Sequence, residues 1–287
     1  MDADTRLFRS RDEFLALVTE RLGTYPSDFQ PEMKRITSSK RTFTPQLAAG
    51  VLLPLLFPES ASDGRSKTGE FVFQLIKRSS LVTQPGDLSC PGGMIHPIID
   101  CLLRPLLLYA PLPIVRGRTR TYAFSRGPTS LRITTLFLAN ALRETWEEIG
   151  LRPWRVRYLG PLPTYSLTRF RRTIFPLVGY VVNGEPPRPN REVEKIVEIP
   201  LSAFFQEGHI GCYLLSVPDP NEAGASIPIR YPCLIHHNPD GEEEILWGAT
   251  FHIITRFLAI VTDYQLPDWI AGPVVRRTLR PDYHVER

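Results

Sequence analysis

The sequence predicts an α/β protein in which helices sandwich a mixed sheet, and three observations carry that expectation. Short apolar runs of strand length alternate along the chain with longer segments whose apolar residues recur at helical spacing. No internal repeat interrupts the alternation. The 287 residues are 43% apolar and 22% charged, which suits one soluble globular domain with a sizeable core plus decorations.

The elements follow in order. Ser10 to Leu22 opens on a capping serine, carries apolar residues at helical spacing and stops at Gly23, so it predicts a helix. Residues 24–46, rich in Pro, Ser, Thr and Lys, read as a linker. The apolar run from Ala48 to Phe57 predicts a buried strand. Further strands are expected near 71–77, 155–160, 174–182, 194–199, 227–235 and 243–247. Helices are expected near 131–149, 201–206 and 248–261, with loops at 60–69, 218–226 and 237–242. The organisation predicted is an N-terminal helix and linker over 1–46, a main domain over 47–265 and a tail over 266–287.

Residues 101 to 142 hold Arg104, Arg116, Arg118, Arg120, Arg126 and Arg132 and no acidic residue. Around these arginines, Leu102 to Tyr109 and Leu131 to Asn140 have the bulky apolar content of helices, the first broken or kinked by Pro105. Three readings of this basic, apolar module stand side by side. It is a flap packed on the domain or between two copies of the chain, an element that meets an anionic substrate, or a membrane-surface contact. Neither run reaches the roughly 18 to 20 residues that cross a bilayer, so no transmembrane segment is expected. Cys90, Cys101, Cys212 and Cys233 are scattered without paired spacing, and the polar start lacks a signal-peptide apolar region, so the expected location is the cytoplasm. His96, His209, His236, His237 and His252 show no metal-ligand spacing. The basic residues lack interleaved aromatic platforms, so no nucleic-acid partner is expected.

The most informative segment is Arg143-Glu-Thr-Trp-Glu-Glu-Ile-Gly-Leu151. Residues at i, i+3 and i+4 share a helix face, so Glu144, Glu147 and Glu148 project together, as a hard divalent cation such as Mg²⁺ requires of its oxygen ligands. Arg143 lies one turn before Glu147 and can orient it. The plainer reading of the same pattern is a solvated acidic helix face.

This segment resembles the second half of the Nudix box, G-x5-E-x7-R-E-U-x-E-E-x-G-U with U a bulky aliphatic residue, the signature of metal-dependent diphosphate hydrolases. Arg143, Glu144, Glu147, Glu148, Gly150 and Leu151 match, and Thr145 departs. Pro91-Gly92-Gly93 looks like the glycine start of the box. Arg78 and Ser79 match an Arg-Ser pair of the coenzyme A diphosphatase-like branch, and 159–165, 175–179 and 247–250 continue the likeness over roughly residues 45 to 260. The main departure is an insertion, about 99–135: Gly93 and Arg143 lie 50 positions apart, about 35 more than the motif has. The mid-box acidic position falls near Ile99 or Asp100, and Gln84 to Asp87 replaces a histidine and a glutamine of that branch.

The resemblance implies a Nudix-type α/β/α sandwich with a mainly helical insertion. It implies Mg²⁺ or Mn²⁺ held by Glu144, Glu147 and Glu148, with Arg143 orienting them, and a base from the box or from Glu192 or Glu194. Gly92, Gly93, Arg78, Ser79, Arg169, Arg171 and Arg172 are the expected substrate-binding residues. The expected reaction is hydrolysis of a diphosphate, coenzyme A or acyl-coenzyme A giving 3′,5′-ADP and a phosphopantetheine. The alternatives are another nucleotide substrate, such as ADP-ribose, NADH or a nucleotide sugar, or a binding module without activity. Close approach of Gly93 to Glu144 favours catalysis over binding, and wide separation the reverse.

Overall fold

The computed structural model describes residues 6–39, 46–58, 69–109, 114–167, 171–182, 186–218 and 226–278. The apolar run read as a buried strand is β1 (Leu47–Leu56), and it organises the larger sheet. It pairs in parallel with β7 (Arg172–Val181) along its whole length, from Leu47 opposite Arg172 to Leu56 opposite Val181. Its other edge is shared. β2 (Val72–Arg78) pairs with Leu55 and Leu56, while β4 (Gly92–Met94) pairs with Ala49, Gly50 and Val51. The sheet therefore forks along β1, and the glycine strand lies in the fork.

Eight strands complete this sheet. The path runs β3 (Leu88–Ser89), β2, β1, β7, β5 (Val156–Pro161), with β6 (Tyr165–Leu167) on β7 and β8 (Val193–Pro200) on β2. Because successive side chains of a strand face opposite sides, β1 sends Val51, Leu53 and Leu55 into one apolar cluster and Leu52 into another. The first cluster packs α1 (Arg11–Thr24) and α6 (Gly248–Thr262) on one face. The second packs α2 (Phe29–Ser39) and α5 (Pro128–Ile149) on the other. That is the predicted α/β/α sandwich.

Three findings correct the reading by element. The stretch expected as linker contains α2, because Phe29 and Ile36, seven residues apart, bury one face against Phe137 and Phe175, with ring centroids 5.9 and 5.0 Å from Phe29. The C-terminal strands do not join the first sheet. β9 (Ile210–Pro218), β10 (Ser226–His237), β11 (Glu243–Trp247) and β12 (Val274–Thr278) form a second sheet in the order β11, β10, β9, β12. β12 comes from the stretch expected as tail and pairs in parallel with β9.

The segment expected as an insertion contains two helices. α3 (Pro97–Tyr109) runs through Pro105 without ending, at an exposed position where the carbonyl freed by proline can bond to water. α4 (Gly117–Ser125) follows. Leu107, Ile114 and Val115 are buried in the second cluster, so the insertion packs on its own domain. Arg126 donates to the carbonyls of Leu22 (2.6 Å), Gly23 and Tyr25, satisfying the open C-terminal end of α1. Ile98, Leu102 and Leu106 form an exposed stripe on the outer face of α3. No helix among the described residues is long and apolar enough to cross a membrane.

Candidate active site

The last turns of α5 carry the motif, and the residues after them hold its end in place. Gly150 takes the left-handed conformation (φ 68°) that stops the helix. The amides of Arg188 and Asn190 donate to the carbonyls of Ile149 (2.7 Å) and Glu148 (2.8 Å), so the exposed C-terminal carbonyls are satisfied by one loop.

The glycine strand lies directly against this turn although Gly93 and Arg143 are 50 positions apart. Gly92 N–H donates to Glu148 Oε2 at 2.9 Å. A Cβ on Gly93 would lie 2.4 Å from Glu144 Oε2, so glycine lets the strand approach that carboxylate without turning it aside. At Gly92 (φ 148°) a Cβ would lie 2.4 Å from the Gly50 carbonyl oxygen, which backbone pairing holds fixed. Asn140 fastens the assembly. Fully buried, it accepts from Gly50 N–H (2.8 Å) and donates to the Met94 carbonyl (2.9 Å), tying α5 to both β1 and β4. The sequence reading missed it, although a lone amide within Leu136-Phe-Leu-Ala-Asn-Ala-Leu142 was its signal.

Arg143 gathers the acidic groups. Its guanidinium meets Asp100 Oδ1 at 2.8 Å and Oδ2 at 3.3 Å, Glu144 at 2.7 Å and Glu147 at 3.1 Å. Asp100 is 0% exposed and also accepts from His96 N–H at 2.7 Å, which caps the start of α3. Asp100 therefore reaches Arg143 from a separate helix. Burial raises the Glu144 carboxyl, partly opposed by Arg143. Burial also pushes Glu148 up to about 8, with repulsion from Glu144 and Glu192 adding to it and the Gly92 hydrogen bond and Arg78 opposing it.

Among the described residues, no three His, Cys, Asp or Glu side chains converge as a ready metal cage. Glu144 and Glu147 both turn to Arg143, and Glu148 turns to Gly92. The donor chemistry nevertheless suits a hard cation, because Glu144 and Glu148 are carboxylates whose charged forms burial disfavours, and Glu144 adds repulsion at Glu148.

A cleft of about 410 Å³ adjoins the glycine strand. Gly92, Gly93, Arg78, Arg172, Tyr165, Tyr231 and Trp247 are among the residues lining it, whereas Arg143, Glu144, Glu147 and Glu148 are not. Arg78 is anchored by donating from Nε to the Thr83 carbonyl at 2.7 Å. The remaining expected substrate residues separate. Ser79 donates to the Arg191 carbonyl (2.8 Å) and is not among the residues lining the cleft, Arg171 is exposed in a turn with φ 47°, and Arg169 lies outside the described residues. Of the two later acidic candidates, Glu192 acts on Glu148, whereas Glu194 pairs with Lys77 at 3.5 Å.

No protein-family model and no curated protein matches the chain. Solved structures similar to it include a C. elegans Ap4A hydrolase in a binary complex, at 13% identity and TM-score 0.32, covering 54% of this chain and 81% of that one. A NUDIX hydrolase from Alicyclobacillus acidocaldarius matches at 14% identity and TM-score 0.36, over 55% and 81%. The NUDIX domain of Shewanella oneidensis NrtR, complexed with ADP ribose, matches at 12% identity and TM-score 0.33, over 56% and 77%.

Proposed function

We propose that the chain is a Nudix-type hydrolase that cleaves the diphosphate of a nucleotide-linked substrate. One observation carries this reading. Across an insertion that separates the two halves of the motif, Gly92 and Gly93 still close on Glu148 and Glu144, so a phosphate group lying on the glycine strand would meet the carboxylate turn.

The division of labour follows from the charge of the substrate. Water attacking a diphosphate approaches phosphorus through a shell of negative oxygens. Glu144 and Glu148, joined by Glu147 on turning from Arg143, would hold a divalent ion, Mg²⁺ or Mn²⁺, which when bound screens that charge and acidifies water. Arg143, fixed by Asp100, sets the directions of Glu144 and Glu147. Arg78 and Arg172 line the cleft and suit phosphate oxygens, since guanidinium forks bind them in pairs. Glu192, which faces Glu148 electrostatically, is the better candidate to take a proton from the attacking water.

Coenzyme A or an acyl-coenzyme A is the substrate we favour, on the match of Arg78 and Ser79 to the branch's Arg-Ser pair. Purified protein with Mg²⁺ or Mn²⁺ would be incubated with coenzyme A, acyl-coenzyme A, NADH, ADP-ribose and dinucleoside polyphosphates and the products separated. Release of 3′,5′-ADP is the expected result. Cleavage of another compound keeps the chemistry and replaces the substrate, whereas tight binding without cleavage returns the chain to the binding-module reading.

A further inference from the structure

We propose that Tyr165, Tyr231 and Trp247 form a stacking subsite for the planar heteroaromatic base of a nucleotide. This rests on the reading above that the cleft receives a nucleotide, and adds which part of the chain recognises the base. The three rings come from β6, β10 and β11, so the subsite exists only because the second sheet closes against the first. All three line the cleft that Gly92, Gly93 and Arg78 also line.

Trp247 is a plate fixed before any ligand arrives. Its indole Nε1–H donates to Asp87 Oδ1 at 3.2 Å. Tyr213, buried and outside the cleft, packs against it with centroids 4.8 Å apart. Tyr231 stands 5.4 Å from the same indole at 54°. Tyr165 is braced by His252 at 4.6 Å, and its hydroxyl is raised by burial and by the neighbouring Tyr231. A cluster that merely filled a core would bury all of its rings as it buries Tyr213. Instead Tyr165, Tyr231 and Trp247 are only half-buried, and their remaining surface faces a cleft whose volume falls in the range of small-molecule sites. Rings held in place by packing and a hydrogen bond lose little freedom on binding, and a base offers them a π-face whatever its identity.

The test is calorimetric titration of the full-length, chelator-treated protein with ADP and, in parallel, with ribose 5-phosphate, which lacks both the base and the second phosphate, so that the change in the ring variants rather than the wild-type ratio alone reports the base. ADP should bind at least about ten-fold more tightly, a factor that equals about 1.4 kcal/mol. Trp247→Leu and Tyr231→Leu should each weaken ADP by about ten-fold while leaving ribose 5-phosphate unchanged, and Trp247→Phe should restore most of the loss. Circular dichroism of each variant separates a lost subsite from a lost fold, and Tyr231→Leu carries the test should Trp247→Leu fail to fold. Equal affinity for the two ligands, no ADP binding at millimolar concentration, or wild-type ADP affinity in both leucine variants overturns the subsite. Hydrolysis is read separately. ADP binding through Trp247 in a protein that cleaves no diphosphate sinks the hydrolase reading alone, and diphosphate cleavage with ADP binding indifferent to Trp247 sinks the subsite alone.

Discussion

The carboxylate turn and the cleft on the other flank of the glycine strand's residues are built on opposite principles. On one side, outside the lining of the cleft, the charged groups sit within the last turns of α5, and the glycine strand is pressed against them. On the other, three aromatic rings arrive from three strands in two sheets. The first arrangement is local, because a helix dictates that residues three and four apart share a face. The second depends on how the second sheet is positioned, through contacts such as Trp247 to Asp87 and Lys77 to the buried Glu244 at 3.1 Å. Side chains whose spacing equals the period of their own element can be recognised before folding is known, and those assembled by tertiary pairing cannot.

The largest expected effect lies on the charged side. Glu148→Gln should keep the fold and lower turnover by about 100-fold or more, roughly 3 kcal/mol of transition-state stabilisation. Trp247→Leu, by contrast, should act mainly on KM. Steady-state kinetics of the two variants on whichever substrate the panel identifies checks the contrast, and an equal loss of kcat in both would show that the sides do not divide binding from chemistry.

Asp100→Ala comes next. It leaves Arg143 without its two-pronged partner beside a carboxylate cluster, and breaking one half of a buried pair costs about 3 kcal/mol. The urea midpoint should fall accordingly, and activity should fall with it as Arg143 shifts toward Glu144 and Glu147. A loss below about 1 kcal/mol would mean that the insertion supports the motif through apolar packing at Leu107, Ile114 and Val115 rather than through this ion pair.

Asp100 also shows how far the sequence could be read. The helix bearing Glu144, Glu147 and Glu148, the stop at Gly150 and the sandwich around β1 were legible, because each follows from periodicity or from a turn residue. Asp100 was visible as the one acidic residue near the required position, but its bond to Arg143 depends on how α3 folds back on α5. α2 was hidden because its Pro and Ser content resembles a linker, and only the packing of Phe29 between Phe137 and Phe175 makes it a helix. The second sheet was hidden for a related reason, since strand periodicity says nothing about which sheet a strand joins.

A smaller effect separates the charged turn from the rest of the molecule by pH. Burial lifts Glu148 from an ordinary 4.5 to about 8, so between those values the folded protein holds a proton that the unfolded chain releases. Stability of the chelator-treated protein should therefore fall as pH rises from about 5 through 8, by at least roughly 1 kcal/mol. Glu148→Gln cannot ionise there, so its denaturation midpoint should fall less over the same range. A wild-type curve parallel to that of the variant would remove the buried, proton-holding Glu148 from the account.

The smallest expected effect belongs to the outer face of the insertion. Leu102 is 70% exposed, as Ile98 is 68%, while Asp100 between them is fully buried against Arg143. If that face meets only water, Leu102→Ser should change stability by no more than about 0.5 kcal/mol and leave kcat unaltered. A larger loss would mean that Leu102 is covered by something, and sedimentation of wild type and variant would identify a second copy of the chain as the cover: a dimer in one and a monomer in the other. An unchanged midpoint and a single sedimenting species would instead confine the insertion's contribution to its inner face, where Asp100 and Leu107 meet α5.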